Sequence, residues 1–245
     1  MSIERTPLVS FSEDSGVHVI FISNGVNNSL NNDGLRDLLI AITDAQASAD
    51  SPILITGRGE RAFSMGYSAD CRRISDKMHI REAYSLGTTI ARAMTRSGQP
   101  IISAVNGFAL GLGLEIALCS DIVICSDTAR FGMPEVVFGI PSLTGIIPEI
   151  PDRFPGKVYS RVKSGKIFDA VQAKESGLVS TIMDHKNFIR QSIEYSGKVE
   201  PRLLRLIKSG HSGSQYRNIV DDLFFRIYDP DCLSMTQLER FRNKL

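Results

Sequence analysis

The sequence predicts an α/β protein whose strands are largely buried. Two observations carry this. From residue 17 to about residue 125, short β-branched and aliphatic runs alternate with stretches whose apolar residues recur three or four apart. Pro52 and Pro100 each stand directly before a strand-like run and end whatever precedes it. A third observation bounds the pattern. After about residue 150 the strand signal thins, Pro148, Pro151 and Pro155 interrupt the chain, and helical stretches take over. The expected organisation is an α/β core over residues 1–185 and a helical section over 186–245.

Each element has its own reason. Val17 to Ile22 is a β-branched run ending at the turn-rich Ser23-Asn24-Gly25. Asn32 to Ala49 is helical, because Leu35, Leu38, Leu39 and Ile42 fall on one face. Ile53 to Thr56 is a short apolar strand turned by Gly57-Arg58-Gly59. Periodicity predicts a second helix over Asp76 to Arg96, then a strand over Ile101 to Val105. A glycine-rich stretch from Gly107 to Gly113 opens a helix that runs to Cys119, and Ile122 to Cys125 is the next strand. Beyond it, Arg153 to Ser164, Asp169 to Ser176 and much of Lys186 to Leu245 are expected as helices, with one strand over Leu178 to Met183.

Composition narrows the function. The chain has 245 residues, 42% hydrophobic and 22% charged, which suits a globular protein with a sizeable core. With 28 basic against 27 acidic residues the formal net charge is +1, which gives no electrostatic case for nucleic acid or a membrane surface. No apolar run approaches the ~18 residues that cross a bilayer, and the polar start, MSIERTPLVSFSEDSG, has no secretory or transit character. Cys71, Cys119, Cys125 and Cys232 form no CxxC pair and are expected as reduced, mostly buried thiols of a cytoplasmic protein.

Several chemistries are missing. There is no GxxxxGK[ST] phosphate loop and no GxSxG elbow. Gly107 to Gly113 is not a dinucleotide fingerprint, because Ile116 stands where a third glycine belongs. His18, His79, His185 and His211 have no metal-ligand spacing, and His18 sits in a strand as a structural residue. What remains is two glycine turns, each directly after a strand: Gly57 to Tyr67 and Asn106 to Glu115. Such turns can aim backbone N–H groups at a ligand oxygen, and the second also opens a helix, whose N-terminus favours an anion. Two donors from two strands are what an oxyanion hole needs, although each loop alone is an ordinary tight turn. Glu115, in the apolar Leu114 to Leu118, and Glu135, before Val136-Val137-Phe138, are the best acid/base candidates. Burial would raise either carboxyl toward the range useful for proton transfer.

In this order the segments resemble the crotonase (enoyl-CoA hydratase/isomerase) superfamily over most of the chain. The resemblance rests on Asn27 to Asn31, Ile53 to Gly57, Arg61 to Gly66, Gln99 to Gly107, Gly107 to Glu115 and Cys119-Ser120-Asp121. It continues through Ala129 to Glu135, Gly139-Ile140-Pro141, Phe168 to Ala173 and Gly177-Leu178-Val179. It implies a spiral of repeated ββα/βαβ units with a C-terminal helical section used in trimerisation, hence a homotrimer or dimer of trimers. It implies an acyl-CoA or acyl-carrier thioester as substrate, with neither metal nor redox cofactor.

By position, the resemblance makes the amides of Tyr67 and Leu112 the two oxyanion donors, Glu135 the main acid/base, and Glu115 the water-orienting partner. Arg61, Ala62, Ser64, Met65, Gly66, Ser68, Gly111 and Lys208 would hold the substrate, Arg61 and Lys208 meeting CoA phosphates. Both glutamates together imply an enoyl-CoA hydratase, a lyase of the kind used in fatty acid metabolism. The sequence departs from the family pattern at the bulky Leu112 and Tyr67, at Ser68 in place of an acidic residue (Asp70 follows), and at Ser142-Leu143-Thr144-Gly145 in place of a glycine-rich turn. Bulky oxyanion residues resemble those of specialised enolate-forming members: isomerases, decarboxylases or carboxymethylproline-synthase-like C–C bond formers. A silent scaffold or RNA-binding member is disfavoured by the neutral charge and the two glutamates.

Overall fold

A computed structural model describes residues 6–48, 50–68, 76–154 and 156–199. In chain order the strands are β1 (Val9–Asp14), β2 (Val17–Ile22), β3 (Ile53–Gly57), β4 (Ala62–Ser64), β5 (Ile101–Val105), β6 (Phe108–Leu110), β7 (Ile122–Ser126), β8 (Arg130–Gly132), β9 (Phe168–Asp169) and β10 (Thr181–Met183). The helices are α1 (Asn32–Ser48), α2 (Lys77–Thr95), α3 (Leu112–Cys119), α4 (Ile150–Arg153), α5 (Val158–Lys163), α6 (Ala170–Glu175) and α7 (Phe188–Ser196). Single 3₁₀ turns cover Pro134–Phe138 and Ile147–Glu149.

Two sheets form. One has the order β1-β2-β3-β5-β7-β10, the other β4-β6-β8-β9. In the larger sheet β1 pairs antiparallel with β2, and every other pairing is parallel. Consecutive strands alternate between the sheets: β3 to β4, β5 to β6 and β7 to β8 each turn a corner from the large sheet into the small one. Every such corner ends in a small-sheet strand, and the segments that follow β4, β6 and β8 carry the residues of the candidate site. β3 and β5 are buried at every position, which is why they read as unbroken apolar runs rather than alternating ones.

The core divides at the large sheet. One face packs Ile20, Ile22, Ile53 and Ile55 against Leu35, Leu38 and Ile42 of α1 and Ile90 and Met94 of α2. The other packs Val17, Val19, Leu54 and Ile102 against Phe188 and Ile193 of α7. α2 begins where Asp76 caps it, its carboxylate accepting from Met78 and His79 N–H at 3.0 and 3.3 Å. α6 begins with a capping box in which Asp169 and Gln172 each accept the other's N–H.

The structure adds strands that the sequence does not predict and corrects the bounds of two elements that it does. The polar start contains β1, an edge strand in which only Val9 is buried, so it carries no apolar run. The glycine-rich stretch contains β6. The helix expected over Arg153 to Ser164 is two helices, α4 and α5, broken at Phe154 and at Gly156, which has φ +132. The strand expected over Leu178 to Met183 is confined to Thr181–Met183, because Gly177 and Leu178 N–H close the end of α6 on Lys174 and Ala173 carbonyls. Among the described residues no helix is long and apolar enough to cross a membrane. Cys119 and Cys125 are buried thiols, both pushed up to about 12 by burial and so protonated. The C-terminal section beyond residue 199, with Lys208 and Cys232, lies outside the described residues, as do Ala69, Asp70 and Cys71.

Candidate active site

Three corners of the fold converge. Asn28 donates to Ala62 and Arg58 carbonyls at 2.7 and 3.0 Å, and Asn106 donates to Gly59 and Gly57 carbonyls at 2.6 and 3.0 Å. These two amides fix the turn that delivers β4. The chain then runs beside residues 27–30: Met65 N–H donates to Asn27, Leu30 N–H to Gly66, and Ser68 N–H to Leu30. In that parallel pairing the Tyr67 N–H points to the opposite edge, away from residues 27–30.

The opposite edge is where α3 begins. Gly66 has φ +103, and a β-carbon there would lie 2.9 Å from the Leu110 carbonyl oxygen and 3.5 Å from the Leu112 amide nitrogen. The Tyr67 and Leu112 segments are therefore in contact. Leu112 is the first residue of α3, so its N–H has no helical acceptor and lies at the positive end of the helix dipole. All eight residues of α3 are buried, so this helix end is delivered into a dry interior. Gly111 precedes it with φ +51 and ψ −121, held by its N–H to the Gly132 carbonyl at 2.9 Å.

Both glutamates reach this point. Glu135 lies in the 3₁₀ turn after β8, half-buried, with its carboxylate against Gly111: a β-carbon on Gly111 would be 2.4 Å from Glu135 Oε1. Among the described residues only its own backbone N–H donates to it. Burial pushes Glu135 up to about 8, and the neighbouring charge of Glu115 pushes the same way. Glu115, one turn into α3, is 2% exposed. Its Oε2 accepts from Thr144 Oγ1 at 2.6 Å, Thr144 N–H at 2.7 Å and Ser142 Oγ at 2.7 Å, and its Oε1 accepts from Leu143 N–H at 3.2 Å. Burial pushes the Glu115 carboxyl up, and these donors pull against it.

Tyr67 turns its side chain the other way. Its phenol donates to Asn32 Oδ1 at 2.6 Å and lies 3.3 Å from His79 Nε2. Asn32 in turn donates to the His79 carbonyl and to Glu82, which also accepts from Arg36. The bulky Tyr67 is thus anchored to the N-terminal ends of α1 and α2. Hydrogen bonds from Asn32 and Arg36 hold the half-exposed Glu82 carboxyl below its ordinary range.

Of the residues expected at the site, Tyr67, Leu112, Glu115, Glu135, Gly66 and Gly111 come together. Ala62 and Ser64 are buried in β4, where they support the turn, and the Ser64 hydroxyl accepts from Gly66 N–H at 3.2 Å. Met65 is half-buried, and Arg61 and Ser68 are exposed. Sequence reasoning missed the hydroxyls of Ser142 and Thr144 as partners of Glu115 and the Asn32–His79 anchor of Tyr67. The signal for the first was present, as two hydroxyl residues standing in a turn that otherwise favours glycine.

Known proteins share this architecture. The sequence model of a family described as Enoyl-CoA hydratase/isomerase matches residues 12–209. A crotonyl-CoA hydratase of Syntrophomonas wolfei is 32% identical over 177 residues, 70% of this chain and 67% of that one. A 2,3-dehydroadipyl-CoA hydratase of Escherichia coli is 31% identical over 196 residues, 78% of this chain and 74% of that one. Among solved structures, an enoyl-CoA hydratase from Bacillus anthracis superposes with TM-score 0.75 at 26% identity, covering 97% of this chain and 96% of that one.

Proposed function

Because the chain belongs to the enoyl-CoA hydratase/isomerase family, we propose that it adds water across the double bond of a 2-enoyl thioester. The observation that carries this reading is the Glu135 carboxyl, lying against Gly111 beside the first N–H of α3 and kept protonated near neutrality by burial. A second carboxylate, Glu115, is close enough to act on it electrostatically. Two carboxyls in different surroundings can divide acid and base roles.

In this mechanism the thioester oxygen accepts from the Tyr67 and Leu112 N–H groups. Water lies between the two carboxyls. Its oxygen bonds to C3 while one of its protons passes to Glu115. The C2–C3 π pair moves onto the thioester oxygen as an enolate, then returns to take the Glu135 proton at C2. The product is a 3-hydroxyacyl thioester, and a proton passing from Glu115 to Glu135 restores the starting state. Fixed amide dipoles in a dry site stabilise the enolate, an effect worth about 3–4 kcal/mol per donor in comparable sites. In this reading the exposed Arg61 meets a CoA phosphate. The test is incubation with crotonyl-CoA, followed by mass spectrometry for a product heavier by one water. Complete recovery of unreacted crotonyl-CoA and other 2-enoyl thioesters would sink the reading.

A second reading has its own support. Four donors already occupy Glu115, which leaves Glu135 as the more readily exchanging carboxyl. One exchanging carboxyl beside an oxyanion hole suits double-bond isomerisation or enolate formation by decarboxylation. Turnover of 3-enoyl or malonyl-type thioesters with no action on crotonyl-CoA would select it.

A further inference from the structure

We propose that Ser142 and Thr144 are positioning residues that hold Glu115 as a fixed anion and leave Oε1 as its one oxygen able to receive the water proton. The inference rests on the hydratase reading and deepens it. It starts from the direction of the two hydroxyl protons. Ser142 Oγ accepts from Gly145 N–H at 3.0 Å, and Thr144 Oγ1 accepts from Ile146 N–H at 3.3 Å. Each hydroxyl has one proton, and with these backbone donors behind it that proton points forward, to Glu115 Oε2 at 2.7 and 2.6 Å. The Thr144 N–H adds a third donor at 2.7 Å and cannot rotate away. A carboxyl proton on Oε2 would face donors on every side, so Oε2 is an acceptor in every state of the reaction.

Oε1 differs. Among the described residues its one partner is Leu143 N–H at 3.2 Å, which leaves a second lone pair for water or for the proton that water gives up. Among the described residues Glu135 has no comparable set of donors. The loop therefore separates two buried carboxyls that burial alone would treat alike. Charge-assisted hydrogen bonds offset part of the burial that raises the Glu115 carboxyl and favour its ionised form, while the other carboxyl keeps its proton for C2. Glycine at positions 142 and 144 would supply the amide but neither hydroxyl.

The test uses Ser142→Ala, Thr144→Val and the double variant, each in the full chain, with Thr144→Ser as the conservative control. In crotonyl-CoA hydration, the acidic limb of kcat/KM moves up by about one pH unit or more in the double variant. At pH 7 kcat falls roughly tenfold or more with KM nearly unchanged. Thr144→Ser stays close to the parent on both measures. Carboxyl signals of the free protein, followed by ¹³C NMR and assigned with Glu115→Gln, report the Glu115 titration without turnover and move upward by the same amount. A folded double variant whose Glu115 titrates as in the parent overturns the proposal. A parent protein that leaves crotonyl-CoA untouched overturns the hydratase reading instead, and the NMR titration still decides the clamp.

Discussion

A β-carbon on Gly111 would stand 2.4 Å from Glu135 Oε1. The glycine before α3 and the carboxyl after β8 thus occupy adjoining space with no room for a methyl group. Gly111→Ala forces the carboxyl outward and places alanine at φ +51, ψ −121, a strained region costing about 1–3 kcal/mol. The expected variant is folded, melts several degrees lower and loses about a hundredfold in kcat, the effect of roughly 1 Å of misplacement. Parent-like kcat in a folded Gly111→Ala protein would remove Glu135 from the chemistry.

Glu135 sets two pH dependences. As the proposed acid for C2 it must carry its proton, so the proposed hydration loses kcat/KM above about pH 8. Glu135→Gln abolishes turnover while leaving the circular dichroism spectrum unchanged. Stability follows the same raised carboxyl. Its folded value of about 8 exceeds the ordinary 4.5, so between these pH values the unfolded chain releases a proton that the folded chain keeps. The destabilisation therefore grows as pH rises from about 4.5 to about 8 and is constant above. Denaturant midpoints for parent and Glu135→Gln at pH 5 and pH 8 check this: the gap in favour of the variant widens at pH 8.

Tyr67→Phe removes the phenol that Asn32 accepts at 2.6 Å and leaves a buried amide oxygen short of a donor. The cost is about 1–3 kcal/mol, seen as a fall in Tm. Its expected effect on catalysis runs through the proposed oxyanion role of the N–H of the same residue. Oxyanion donors act mostly in the transition state, so kcat drops several-fold with KM little changed. Equal rises in KM without loss of kcat would place Tyr67 in ground-state binding instead.

His18 predicts a gain. It is fully buried, both ring nitrogens lack a hydrogen-bond partner among the described residues, and its ring meets Phe11 edge-on at 5.3 Å. Replacing it with leucine removes two unsatisfied polar atoms, worth about 1–3 kcal/mol, against an aromatic contact worth about 0.5–1.5 kcal/mol. Tm should rise by about 2–4 °C. A thermal scan showing His18→Leu melting below the parent would reveal a partner for the ring.

These cases also explain what was legible in the sequence. β2, β3, β5 and β7 and the helices α1 and α2 emerge within a few residues, because buried strands leave apolar runs and amphipathic helices leave a period. β4, β6, β8 and β9 do not, because two or three residues are too few for any period; their neighbours in the small sheet create them. Glu115 and Glu135 stood out as carboxylates in apolar company. The groups that tune them did not. Ser142 and Thr144 meet Glu115 across 27 and 29 residues, and Tyr67 meets Asn32 across 35, distances over which local pattern has no reach.

The alternation of successive strands between two sheets has a consequence for how activity is acquired. No single corner contains both Tyr67 and Leu112, and the bonds that brace the corners join distant segments: Thr56 to Ala104 spans 48 residues, and Asn106 to Gly57 spans 49. Such pairings close slowly, whereas α1 and α2 can gain helical structure from local contacts. During refolding from denaturant, helical ellipticity should therefore return before thioester turnover. The delay between the two signals times the moment when the separate corners first share one cavity.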